Sequence, residues 1–132
     1  MPLLITGRGH PNIRATHPTT LAFTRDKEIT PSGDCFVAVG CEWQVTPEFL
    51  AKLRSAKRVT VTIECGGHRD VVTGTGHGAL TLSENDLVVR TSGWVDARTL
   101  MVGADKPARA LSKEVVQCLK QSAPVKIRVD AV

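Results

Sequence analysis

The longest uninterrupted apolar run in this chain is Cys35-Phe-Val-Ala-Val-Gly-Cys41, only seven residues. A run of that length suits a buried strand, makes about two turns of helix, and falls far short of a membrane span. The other apolar segments are as short or shorter. Arg58–Glu64 alternates strictly, with Val59, Val61 and Ile63 predicted to face inward. Thr19–Thr24, with Leu21 and Phe23 on one face, Leu87–Thr91 and Val125–Val129 read as further strands. Shorter stretches at Leu3–Ile5, Ile29–Thr30, Val71–Thr73, Leu80–Leu82 and Ala97–Val102 are expected to pair as well.

Helical signals occur twice. Thr46-Pro47-Glu48 combines an N-cap, a first-turn proline and an acid, and Phe49, Leu50 and Leu53 form a stripe, so a helix is predicted near 46–56. Ala108, Leu111, Val115, Cys118 and Leu119 recur at three- and four-residue intervals ahead of Pro124, predicting a second helix near 107–122. Two helices among eight or nine short strands do not make strand–helix–strand alternation. The expected class is mainly β, an antiparallel sandwich, jelly-roll or barrel-like domain carrying about two helices.

The chain's 132 residues suit a single domain, and 23% charged residues are too few for disorder. The start, Met-Pro-Leu-Leu-Ile, lacks the basic region and long apolar core of a secretory signal, so a cytoplasmic protein with no membrane segment is expected. In that setting Cys35, Cys41, Cys65 and Cys118, which form no CxxC pair, are expected to be buried small residues or single thiols rather than zinc ligands or disulfides. The net charge of +4 comes wholly from residues 98–132, where seven positive side chains face three negative ones. Such a basic end attracts anionic partners, although a helix with lysines on its wet face has the same composition.

Polar residues with no obvious packing task concentrate between Arg8 and Val39. Arg8-Gly9-His10-x-Asn12 and His17-x-Thr19-Thr20 precede Gly33-Asp34-Cys35, and Arg98-Thr99 and Ala104-Asp105-Lys106 follow. His10, His17 and Asp34 are the candidate acid, base or metal-ligand groups, since imidazole and carboxylate can move protons near neutral pH or bind a metal. The alternatives are hydrogen-bonded structural histidines and an aspartate that closes its own turn. Arg8, Thr19, Thr20, Arg98, Asp105 and Lys106 are the candidate ligand-binding groups, cations near a helix N-terminus being suited to an anion. Against this stand β-propensity for the threonines, solvation for Lys106, and an N-cap role for Asp105 on the last helix. The glycines of Gly74-Thr-Gly76-His-Gly78 lack phosphate-loop spacing and are expected at a bulge or a close backbone approach.

The order of these motifs resembles the archaeal DUF371 family of small uncharacterised proteins, from about Gly7 to about Val129. The resemblance implies a β-rich, jelly-roll-like or barrel-like domain with few helices, and no established activity. Three readings of function follow from the residues. The first is a protein that binds or processes a phosphate-bearing ligand, a nucleotide or RNA, through the Arg8-His10-His17-Thr20 and Arg98-Asp105-Lys106 motifs. The second is a small metal- or histidine-dependent hydrolase or lyase. The third is a non-catalytic assembly module, with exposed strand edges allowing a homodimer. Neither a cofactor nor a metal is specified.

Overall fold

A computed structural model describes all 132 residues. The elements run β1 (Leu3–Arg8), β2 (Thr20–Thr24), β3 (Phe36–Glu42), α1 (Pro47–Ser55), β4 (Val59–Cys65), β5 (His68–Gly74), β6 (Asp86–Arg90), β7 (Thr99–Met101), a 3₁₀ turn (Ala108–Ala110), α2 (Lys113–Lys120) and β8 (Pro124–Ala131). The eight strands form one mixed sheet in the order β5-β4-β8-β1-β3-β2-β6-β7. The fold is mainly β with two helices, as the patterning predicts. Two pairings, β2 with β3 and β6 with β7, are parallel, and the rest are antiparallel.

The sheet bends until its two edges meet. Thr75, just past β5, pairs with Val102, just past β7, through two backbone bonds of 2.9 and 3.0 Å. A single bridge does not close a barrel, but it brings both halves around one core. That core is a continuous cluster of 33 buried residues. Val59, Val61, Ile63, Ile127 and Val129 enter it from one half, and Leu21, Phe23, Leu87 and Val89 from the other.

Local sequence rules explain the hairpin and α1. Gly66 and Gly67 turn β4 into β5 with φ of +56° and +82°, the paired left-handed angles that a two-residue hairpin demands. The Thr46 hydroxyl accepts the Phe49 N–H at 3.1 Å, and Phe49 and Leu53 are buried as the stripe predicts. Gly76 lies so close to the Leu53 carbonyl that a β-carbon would overlap it, which accounts for the glycine-rich stretch as a close backbone approach.

Four expectations are corrected. The region 107–122 is not one helix: the 3₁₀ turn and α2 are separated by extended Leu111 and Ser112. Tertiary partners take the amides a continuous helix would use, Arg109 N–H donating to the His17 carbonyl and Ser112 N–H to the Asp70 carboxylate. Ser112, not Asp105, caps α2, its hydroxyl accepting the Val115 N–H at 3.3 Å. Ile29–Thr30 and Leu80–Leu82 are not strands, although Leu80 and Leu82 are buried. The stretch 25–35 is therefore a crossover between two parallel strands.

The cysteines hold the fourth correction. Cys65 at the end of β4 is disulfide-bonded to Cys118 in the last turn of α2, with Cα atoms 6.0 Å apart and a sequence separation of 53. Cys35 and Cys41 are free. The bond clamps α2 to the sheet, and closing so long a loop restricts the unfolded chain by about 4 kcal/mol in the chain-entropy account. Reduction, or Cys118→Ser, is expected to lower unfolding free energy by about 2–4 kcal/mol. Urea unfolding with and without dithiothreitol measures this directly, and coincident midpoints would show that the bond does not form.

Candidate functional site

The parallel crossover determines where the polar motifs land. Residues 9–16 leave β1 and run beside 27–34, which return from β2 to the start of β3. Three bonds between the two segments fix this: the Asn12 side-chain amide donates to the Ile29 carbonyl at 2.8 Å, and Thr16 and His17 N–H both donate to the Asp34 carbonyl.

The first cluster is a groove lined by Arg8, Gly9, His10, Pro11, Lys27, Glu28, Val39, Gly40 and Ser122, with a volume of about 680 Å³. Its floor is the end of α2. Gly9 N–H donates to the Ala123 carbonyl and His10 N–H to the Leu119 carbonyl, both at 2.8 Å, while the Arg8 guanidinium reaches the Ser122 carbonyl at 3.3 Å. Gly9 is required here because a β-carbon would overlap the Leu119 carbonyl. The His10 ring is oriented at both nitrogens: Nδ1 accepts the Asn12 N–H at 3.0 Å, so Nε2 carries the proton and donates to Glu28 Oε1 at 2.9 Å. The imidazole is 13% exposed and the carboxylate 85% exposed. Arg8 and Lys27 form no ion pair.

The second cluster surrounds His17. Its Nδ1 accepts the N–H groups of Thr19 and Thr20 at 3.2 and 3.1 Å and stands 2.9 Å from the Thr20 hydroxyl, which leaves the ring proton on Nε2. Cys35 lies close by, because Ala22 N–H pairs with its carbonyl. Burial pushes the Cys35 thiol above its ordinary value; the Thr20 hydroxyl opposes this, the Asp34 charge adds to it, and Arg98 opposes it more weakly. That is the environment of a protonated, weakly nucleophilic thiol. Cys41, packed in the core, is pushed up to about 12 by burial.

His10 and His17 share no partner, one facing Glu28 and the other the Thr19–Thr20 turn. No three His, Cys, Asp or Glu side chains converge in an arrangement that would hold a metal ion. Asp34 serves the crossover through its main-chain carbonyl. His77, outside every motif, shows the same device as His10 and His17: each ring Nδ1 accepts the N–H two residues ahead.

The third group separates into two networks. Arg98 lies 3.6 Å from Asp86 and 3.8 Å from Asp96. Asp96 in turn holds Arg90 at 2.9 Å, and the Asp96 and Thr99 side chains close the loop between β6 and β7. Asp105 and Lys106 instead fasten the β5 edge. Asp105 accepts both the N–H and the hydroxyl of Thr73, at 3.0 and 2.9 Å, and its own N–H returns to the Thr73 carbonyl at 2.8 Å. Lys106 pairs with Asp70 at 2.6 Å. These contacts cap part of β5, one of the two edge strands of the sheet. Sequence reasoning missed Lys27 and Glu28, which look like an ordinary charged turn, and Asp70, whose partners lie 36 and 42 residues away.

Asp70 has a legible pH signature. Burial raises its pKa, but the Lys106 ammonium and the N–H groups of Ser112 and Val71 outweigh burial and hold it below the usual carboxylate range. A depressed folded-state pKa stabilises the fold at pH above the unfolded value, and that contribution disappears as pH falls through the folded one. Asp70→Asn is therefore expected to flatten the acid limb of a melting-temperature–pH profile below about pH 4. Lys106→Ala should cost about 1–3 kcal/mol at neutral pH. Identical acid limbs for wild type and Asp70→Asn would contradict the assignment.

The chain matches the family model described as a domain of unknown function, DUF371, over residues 5–132. It is similar to an uncharacterised protein of Methanocaldococcus jannaschii, 39% identical over 125 residues, which cover 92% of this chain and 93% of that one. With that match spanning both histidine motifs, the disulfide and the capped β5 edge, the chain belongs to the DUF371 family.

Proposed function

We propose that this protein binds a phosphate-bearing ligand, a nucleotide or RNA, in the groove where Arg8, His10 and Lys27 meet. The observation that carries the reading is the Glu28–His10 contact. An 85% exposed carboxylate rests on the N–H of an imidazole that is only 13% exposed. A solvated carboxylate gains little from such a contact, so Glu28 marks a place where an anion is received and from which it is easily displaced. A phosphate oxygen in its stead accepts the same Nε2 proton, with Arg8 and Lys27 supplying the charge that offsets it. Lys106 and Asp105 have no part in this, being occupied with the β5 edge.

The His17 cluster supports a second reading, a histidine-dependent hydrolase or lyase, on the 2.9 Å approach of the Thr20 hydroxyl to His17 Nδ1. The same nitrogen also accepts two backbone N–H groups, and His77 repeats the device in a plain turn, which favours a turn-fixing role. His17 is therefore assigned to the architecture of the site and His10 to the ligand.

Three variants separate the possibilities. Arg8→Ala and Lys27→Ala should each weaken binding of a fluorescein-labelled single-stranded RNA 12-mer or of ATP by about tenfold at low salt, and lower the salt slope by about one ion each for RNA. Glu28→Ala should tighten binding, since it removes a competing anion. Anisotropy titrations at two salt concentrations read all three. Unchanged affinity in Arg8→Ala and Lys27→Ala, or weaker binding in Glu28→Ala, would refute the groove.

A further inference from the structure

The two sulfurs of the Cys65–Cys118 bond are not equivalent. Cys65, the last residue of β4, is 1% exposed. Cys118 is partly exposed and lines an open cleft of about 580 Å³ between α2 and the β4–β5 turn, together with Gly66, His68, Lys113 and Gln117. Cys65 does not line that cleft. Gly66 is fitted to this approach, because a β-carbon there would lie 2.7 Å from Cys118 Sγ. A thiolate arriving from solvent therefore meets Cys118 Sγ first, and which sulfur can be attacked decides how a disulfide is opened.

What the bond holds is the floor of the Arg8–His10 groove. Leu119, next to Cys118, accepts the His10 N–H at 2.8 Å, Ala123 accepts the Gly9 N–H at 2.8 Å, and Ser122 accepts the Arg8 guanidinium at 3.3 Å. Ser122 has φ of +60°, a left-handed angle that a residue with a side chain keeps only where its surroundings fix it. The other end of α2 is held separately, by the Ser112 N–H on Asp70 and by buried Val115. Opening the disulfide thus leaves the first turn docked. The last turn then depends on Leu119 packing and on its hydrogen bonds to the strand end that it positions.

We infer that Cys118 is a thiol–disulfide exchange site, through which a dithiol reductant opens the Cys65–Cys118 bond and releases the groove floor. The effect on ligand affinity rests on the phosphate-ligand reading; the exchange and the release do not. In the first step a thiolate of the reductant attacks Cys118 Sγ, a mixed disulfide forms, and Cys65 leaves as a thiolate. In the second the reductant's other thiolate attacks its own first sulfur, and Cys118 leaves. The two protons given up by the reductant reach Cys65 and Cys118 through solvent. Two electrons have passed to the cysteines, and the reductant ends as its own disulfide.

Dithiothreitol added to the folded, ¹⁵N-labelled full-length protein without denaturant tests this. The bond should open completely, and brief glutathione treatment quenched with acid should leave the tripeptide on Cys118 and not on Cys65, as read by peptide mass mapping. On reduction the amide signals of Gly9, His10 and residues 118–123 should move or broaden, while those of Thr20–Thr24 and Asp86–Arg90 stay in place. Pyrophosphate affinity should fall by about tenfold. Reoxidation should restore the first spectrum, and Cys118→Ser should give the reduced spectrum in either condition. A bond that opens only in urea, an adduct on Cys65, or unmoved Gly9 and His10 signals would overturn the switch and leave the groove reading standing. Moved signals with no pyrophosphate binding in either state would support the exchange site and sink the anion groove instead.

Discussion

The parallel pairing of β2 with β3 is the constraint on which the rest of the structure depends. Parallel neighbours cannot be joined by a tight turn, so the chain must travel back along the sheet between Thr24 and Phe36. That return lays residues 25–35 beside residues 9–16 and creates the polar region. Glu28 meets His10, Ile29 meets Asn12, and Asp34 meets Thr16 and His17 only because of it. An antiparallel hairpin at Arg25–Glu28 would leave both histidine motifs without partners.

The second element of the design is α2. Its last turn accepts the His10 N–H through Leu119, the Ala123 carbonyl just beyond it accepts the Gly9 N–H, and the Cys65–Cys118 bond ties that turn to the sheet. One short helix thus positions the groove floor, while Asp70 ties its N-terminus to β5 through Ser112. Stability and site geometry are coupled there: whatever loosens residues 118–123 also releases the strand end that carries Arg8. In the proposed binding, the groove's cations would meet a ligand through geometry held from below, which is how a site without a deep cavity would fix its donors.

Much of this was legible in the sequence, and the limits have physical causes. Val59, Val61 and Ile63 face the core because strand periodicity is a local property, and Thr46-Pro47 starts a helix because capping is local too. The disulfide was not legible, since Cys65 and Cys118 are brought together by a helix docking on a hairpin end and their spacing carries no signal. Asp105 and Lys106 read as a helix start and an anion site. Their partners Thr73 and Asp70 are 32 and 36 residues away, so their real task, closing a sheet edge, shows only in the assembled fold. Arg8 and His10 were recognisable as chemistry-bearing, but Lys27 and Glu28 became part of the site only through the crossover.

The central claim is that anions are received at the Arg8–His10–Lys27 groove and not at the Asp105–Lys106 edge. Amide chemical-shift mapping of the ¹⁵N-labelled protein with pyrophosphate at low salt tests it most directly. The account predicts shifts concentrated at Gly9, His10, Glu28 and Gly40, together with movement of the His10 ring signals as Glu28 is displaced. Shifts centred on Asp70, Asp105 and Ser112, or none at any concentration up to the millimolar range, would contradict it.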